Sequence, residues 1–270
     1  MPRINAADGT SLHLQDWGSG RPVVLIHGWP LNADSWDHQA RHLAAAGYRV
    51  VACDRRGFGR SDRPWGGYDY DTLADDLAAV IDGLGLTDAT LVGFSMGGGE
   101  VARYMRRHGG RGVARVAFVG SIVPCLVRRD DNPDGVPADA LDSMQEAIDK
   151  DRPEFLRGFF KTFYGQGLVS GVSQGVLDWS LHMALLASGR ATLACIDAWR
   201  EDFRPDIVAI DRPALVIHGT GDAIVPIEPT ARAAARAIPG ATLREYDGAP
   251  HGLLATHAAR VTQDLLDFLA

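Results

Sequence analysis

The sequence predicts an α/β fold: a mostly parallel, doubly wound sheet with a helical segment inserted near its middle. Three observations lead there. Short continuous apolar runs, such as Val23-Val24-Leu25-Ile26, have the character of strands buried on both faces. Segments with helical spacing alternate with these runs, in the βαβ rhythm that builds parallel sheets. The rhythm stops after Pro124 and resumes at Pro213, and the stretch 138–203 between them carries only helical patterning.

Residues 10–17 (TSLHLQDW) alternate and read as an antiparallel edge strand. A Gly-Ser-Gly turn leads to the buried strand 23–26, which ends at His27-Gly28-Trp29-Pro30. A helix over 35–46 is expected to start near Asp34 or Ser35. The strand 49–53 runs into Asp54-Arg55-Arg56-Gly57-Phe58-Gly59, where Arg55 and Arg56 read as braces for the Asp54 loop. Residues 72–84 have helical spacing, with Asp71 or Thr72 as the cap. A third strand, 90–94, a helix, 96–107, and a fourth strand, 113–119, follow. The stretch 128–137 is charged and breaker-rich, and Arg128 to Asp131 within it read as a solvated turn. Beyond the helical segment come a strand at 213–219, a helix at 229–237, a strand at 241–247 and a last helix from about 252 to 269. The chain thus divides into a core, 1–123 and 206–270, and an inserted helical cap, 124–205.

Composition narrows the function. The 270 residues are 46% hydrophobic and 23% charged, with a net charge of −7. This suits one globular domain with an insertion rather than a disordered chain. The acidic balance argues against nucleic acid or an anionic membrane surface as the partner. Three scattered cysteines, Cys53, Cys125 and Cys195, form neither a disulfide framework nor a metal-binding spacing. No cofactor motif is found. The polar start MPRINAADGTSLHL shows no secretory signal, and no apolar run approaches a membrane span, so a cytoplasmic location is expected. The 31 glycines exceed the ordinary share of about 7%. Gly28, Gly93, Gly97, Gly98, Gly219 and Gly221 fall at predicted strand ends, where the backbone must turn sharply.

The strongest local signal is Gly93-Phe94-Ser95-Met96-Gly97, a G-x-S-x-G match set between a predicted strand and a predicted helix. The serine needs a sharp turn, and side chains two residues either side would collide with neighbouring backbone. A serine hydroxyl is a weak nucleophile and requires a base oriented by a third group. With a G-x-S-x-G turn the partners are expected in the order serine, acid, histidine. Asp222 follows a late strand in His218-Gly219-Thr220-Gly221-Asp222, and His251 follows the last strand in Gly248-Ala249-Pro250-His251-Gly252. Asp247 is the second candidate for the acid. His218 precedes the acid and reads as structural. His27 precedes the serine and reads as fixing the loop around Gly28, and His257 reads as a packing or surface residue. An oxyanion hole needs two N–H donors. Met96 follows the nucleophile and supplies one. Pro30 has no N–H, so Trp29 supplies the other.

Together these segments resemble the α/β-hydrolase superfamily over nearly the whole chain. They are most similar to the cofactor-free, non-haem haloperoxidases (chloroperoxidases) and their aryl-esterase relatives. The matching stretches are HGWPLNADSW at 27–36, DRRGFGRSDRPWGGYDYDT at 54–72, LVGFSMGGGEVARY at 91–104, FRPDI at 203–207, LVIHGTGDAIVP at 215–226 and APHG at 249–252. The cap matches more loosely. The resemblance implies an α/β-hydrolase fold and a serine esterase whose acyl-enzyme is attacked by water or by hydrogen peroxide. The peracid formed then oxidises halide, without haem, metal or other cofactor. It also implies a homo-oligomer, a trimer or a multiple of one. By position in the family, Trp29, Ile122, Leu126, Met144, Phe159, Phe163, Ile224 and Ile227 are expected to line an apolar substrate pocket.

Amide or γ-lactam hydrolysis and carbon–carbon bond hydrolysis would use the same triad. Epoxide hydrolases and haloalkane dehalogenases need a carboxylate where Ser95 stands. A ligand-binding receptor on a retired hydrolase is the non-enzymatic alternative, and the intact triad speaks against it. Pro30 is expected to hold the Trp29 carbonyl where it accepts a hydrogen bond from bound peroxide. Pro30→Leu should therefore lower the ratio of perhydrolysis to hydrolysis, measured on one ester with and without peroxide. An unchanged ratio would remove that role.

Overall fold

The computed structural model describes residues 2–167 and 172–270; positions 168–171 of the expected cap lie outside them. Among the described residues an eight-stranded sheet runs in the order β1-β2-β4-β3-β5-β6-β7-β8. β1 (Arg3–Asn5) and β2 (Ser11–Trp17) form the antiparallel end. β3 (Pro22–Ile26), α1 (Asp37–Ala45), β4 (Arg49–Cys53), α2 (Tyr70–Gly83), β5 (Ala89–Phe94), α3 (Gly97–Arg107) and β6 (Val113–Val119) continue the chain. The helical segment holds α4 (Ala138–Phe163), α5 (Gln174–Leu186) and α6 (Gly189–Ala198). α7 (Arg204–Ile207), β7 (Ala214–Gly219), α8 (Ala233–Ala237), β8 (Thr242–Tyr246), α9 (Leu253–Thr256) and α10 (Ala258–Leu269) complete it. From β4 to β8 every neighbouring pair is parallel. Every residue of β5 and β7 is buried, as helices on both faces of a parallel sheet require.

Several expectations are corrected in detail. Strand β2 is not the edge: it pairs with β4 on one side and with β1 on the other, Ile4 opposite Leu12. Three residues are too few for β1 to show any periodicity. The first helix starts as a 3-10 turn, Ala33–Trp36, capped by Asn32, whose side-chain oxygen accepts from the Asp34 N–H at 3.0 Å. α2 begins at Tyr70, because Asp69 rather than Asp71 or Thr72 caps it by accepting from the Thr72 N–H. The helix expected at 229–237 opens with a π turn, Glu228–Arg232. The expected last helix divides at His257. α4 bends at Asp151, just ahead of Pro153, which has no N–H to give the helix.

The strand order reverses around β3, whose chain successor β4 lies on one side and β5 on the other. The crevice outside the carboxyl ends of β3 and β5 is therefore the switch point, the place where open α/β sheets bind ligands. His27-Gly28-Trp29 leaves β3 there, and Ser95-Met96 leaves β5. The helical segment is tied across this edge. The Trp29 indole donates to the Thr192 carbonyl at 3.0 Å, and Ser188 N–H donates to the Gly57 carbonyl at 2.8 Å.

Candidate active site

Ser95 stands at φ +53° between β5 and α3, a left-handed conformation that costs an L-residue about 1–2 kcal/mol. The turn closes only because its flanks lack side chains. A Cβ on Gly93 would sit 2.5 Å from the Gly97 carbonyl oxygen, and one on Gly97 would sit 2.6 Å from the Ile26 carbonyl oxygen. The sharp turn presents Ser95 at the sheet edge to a cavity rather than to packed side chains, at the positive end of α3.

Asp222 follows β7 and His251 follows β8. His251 Nδ1 lies 2.6 Å from Asp222 Oδ2, and Nε2 lies 3.0 Å from Ser95 Oγ. A carboxylate only accepts, so Nδ1 carries the proton and Nε2 is left to accept from the serine hydroxyl. The other carboxylate oxygen, Asp222 Oδ1, accepts from the Ile224 N–H at 2.9 Å and the Val225 N–H at 2.8 Å. Burial alone would raise the Asp222 carboxyl, but His251 and His218 outweigh it and hold it well below the usual carboxylate range. His218 donates from Nε2 to the Val225 carbonyl at 2.9 Å and so supports the acid's loop. Asp247 does not reach the histidine; its carboxylate accepts from the Thr220 hydroxyl. His257 contacts the Thr256 hydroxyl and the Tyr246 ring. Phe94 stacks on the His251 ring, with centroids 5.2 Å apart, and Phe163 meets it edge-on at 4.9 Å.

Among the described residues, neither the Trp29 N–H nor the Met96 N–H has a hydrogen-bond partner. Their directions are set from behind. The Gly28 carbonyl accepts from His27 Nδ1 at 2.9 Å and from Leu31 N–H at 3.0 Å. The Ser95 carbonyl accepts from Gly98 N–H at 3.0 Å and from Ile122 N–H at 3.4 Å. In a planar trans peptide the N–H points opposite to the C=O, so holding these carbonyls aims the Trp29 and Met96 N–H groups the other way. Gly28 also lets its loop close on the serine, since a Cβ there would lie 2.9 Å from Ser95 Cβ. Two buried N–H groups beside one hydroxyl can stabilise a developing oxyanion.

A cavity of about 50 Å³ opens onto Ser95 and His251. Of the residues expected to line it, Trp29, Ile122, Leu126, Met144, Phe159 and Ile224 do so. Phe163 and Ile227 do not. Phe163 stands behind the imidazole and, with Phe94 and Trp179, lines a separate cavity of about 200 Å³. Ile227 is drawn away because the chain enters the Glu228–Arg232 turn there. Val136, Leu141, Trp199 and Val225 also line the small cavity and were not foreseen. Leu141 lies three residues before Met144 on α4, a spacing that puts both on one helical face. Trp199 had no signal in the linear sequence.

The model of the α/β-hydrolase fold family matches residues 21–174. The chain belongs to the α/β-hydrolase family. Its relatives refine the placement. It is 43% identical to a non-haem haloperoxidase of Rhodococcus erythropolis, over 100% of this chain and 99% of that one. It is 37% identical to a bifunctional esterase/perhydrolase of Acinetobacter calcoaceticus, with the same coverage of both. The crystal structure of a bromoperoxidase from Bacillus anthracis superposes with a TM-score of 0.95 at 42% identity, covering 99% of each chain. Within the α/β-hydrolases the chain is thus a member of the non-haem haloperoxidase group. No described helix is long and apolar enough to cross a membrane.

Proposed function

We propose that this α/β-hydrolase is a serine esterase that cleaves small carboxylic esters and also passes their acyl group to hydrogen peroxide. The observation that supports it most is the unbroken hydrogen-bond chain from Asp222 through His251 to Ser95, facing an apolar cavity. Ser95 Oγ attacks the ester carbonyl while His251 Nε2 takes its proton. The oxyanion turns to the Trp29 and Met96 N–H groups. His251 returns the proton to the leaving alcohol, and Asp222 stabilises the imidazolium in between. Water then attacks the acyl-enzyme and releases the acid, or hydrogen peroxide attacks it and releases a peracid; both steps restore the serine. The tight cavity favours short acyl groups. The Acinetobacter relative carries both activities in its name, which supports the peroxide branch.

p-Nitrophenyl acetate turnover that is abolished by a serine-directed phosphonate is the expected result. Peroxide with bromide should then brominate a reporter dye only when an acyl donor is present. No esterase turnover, or bromination without any acyl donor, would overturn the reading. We further propose a homo-oligomer, which light scattering on the purified protein tests, and a cytoplasmic location.

A further inference from the structure

Away from the triad, a buried ion pair joins the two halves of the oxyanion site. Arg55 follows β4, and its side chain crosses beneath the β3 loop to Glu100 on α3. Arg55 Nε donates to Glu100 Oε1 at 2.5 Å, and Nη2 also contacts that oxygen. On its way the same guanidinium donates from Nη2 to the His27 carbonyl at 2.6 Å. The Arg55 backbone N–H donates to His27 Nε2 at 3.0 Å. That bond leaves His27 Nε2 as the acceptor and puts the ring proton on Nδ1, the atom that holds the Gly28 carbonyl. Burial, with Arg55 beside it, pushes the His27 imidazole down to about 3, so the ring stays neutral and keeps this tautomer. Glu100 lies one helical turn beyond Met96. Both side chains of the pair are nearly inaccessible, at 2% and 7%. Burying two charges is costly, and nothing in the triad contacts them.

We infer that Arg55, Glu100 and His27 form a clamp that fixes the Trp29 and Met96 N–H groups relative to each other. They are positioning residues: none touches the reacting atoms. The clamp works from three adjacent strand ends. Glu100 anchors the helix that follows the nucleophile, Arg55 anchors the strand β4 side, and His27 converts the guanidinium's grip into an orientation of the Gly28–Trp29 peptide. Two donors on separate loops must converge on one oxygen within hydrogen-bond distance, and a misplacement of about 1 Å can cost about a hundredfold in rate. The inference rests on the serine-esterase reading, since an oxyanion site matters only if an oxyanion forms.

Glu100→Gln tests it with little change of shape. The amide keeps an acceptor but gives up the carboxylate that grips Arg55; burial pushes Glu100 up to about 7, so turnover is compared at pH 8, where that carboxylate is ionised. Turnover is measured per serine titrated to end point with a phosphonate, so that unfolded molecules do not count. Affinity for a boronic acid, which mimics the tetrahedral oxyanion, is measured alongside. The expected result is a fall in kcat of about tenfold with KM within about twofold, and a matching loss in boronate affinity, as for donors that act in the transition state. Arg55→Lys, which cannot span both partners, should lose more in the same two quantities. An unchanged kcat per titrated serine in both variants, or a loss expressed in KM alone, would overturn the clamp. Ser95→Ala run in parallel separates the two levels. Inactive Ser95→Ala with fully active Glu100→Gln removes only the clamp, whereas active Ser95→Ala removes the esterase reading beneath it.

Discussion

Ser95→Ala is expected to lower ester turnover by about a millionfold, roughly 8 kcal/mol of transition-state stabilisation, while leaving a folded protein. The magnitude follows from the covalent step: without Oγ no acyl-enzyme forms, and what remains is the binding and oxyanion stabilisation that any water-attack route could use. The fold should survive because the serine contributes little to packing. Its hydroxyl makes a hydrogen bond with His251, worth about 1 kcal/mol net. Alanine keeps the Cβ at φ +53°, so the backbone strain at the turn is unchanged. Circular dichroism and a thermal melt should therefore nearly overlay the wild type. Retained p-nitrophenyl acetate turnover in the folded variant would show that another group is the nucleophile.

The sheet was readable in the sequence because each buried strand is a short apolar run closed by a turn signal. The serine turn was readable for a related reason. Its glycines answer to local crowding, and local crowding leaves a fixed spacing, two residues either side of Ser95. The order serine, acid, histidine that goes with the G-x-S-x-G turn nominates Asp222 and His251, and the structure brings them to Ser95 because a parallel sheet gathers its strand ends on one edge. What could not be read is what depends on contacts between distant side chains. Phe163 sits on a helical face that touches both His251 and a second cavity, and periodicity does not say which side is open. Trp199 reaches the small cavity from the far end of α6. The partner of Arg55 lies 45 residues away. Arg55 and Arg56 could be read as braces of the Asp54 loop, and they tie it to Glu100 and Asp76, but which distant carboxylate each would meet could not be read. Arg60 holds the Asp54 carboxylate itself at 2.9 Å.

Asp222→Asn should be severely damaging too, about a hundredfold less so than removing the nucleophile, for a reason visible in the hydrogen bonds of the acid. Oδ1 receives two backbone N–H groups, from Ile224 and Val225. An asparagine must keep its carbonyl oxygen there, because its NH₂ would otherwise face two donors. The NH₂ then takes the place of Oδ2, 2.6 Å from His251 Nδ1. Two N–H groups cannot share that contact, so His251 moves its proton to Nε2. From Nε2 it donates toward Ser95 and no longer accepts from it, and the base is lost with the geometry intact. A fall in kcat of about ten-thousandfold, close to 5.5 kcal/mol, is expected. The stability effect has a definite pH dependence. The folded protein holds the Asp222 carboxyl below its ordinary value of 3.8, so the stabilisation is fully present above that pH and is lost as pH falls through the folded value. Melting temperatures of wild type and Asp222→Asn should therefore differ most near neutrality and converge in acid. A gap that does not begin to narrow below pH 3.8 would mean that the folded protein does not hold the Asp222 carboxyl below its ordinary value. Kinetics that recover when the assay pH alone is changed to match wild type would mean that the tautomer is not what the aspartate controls.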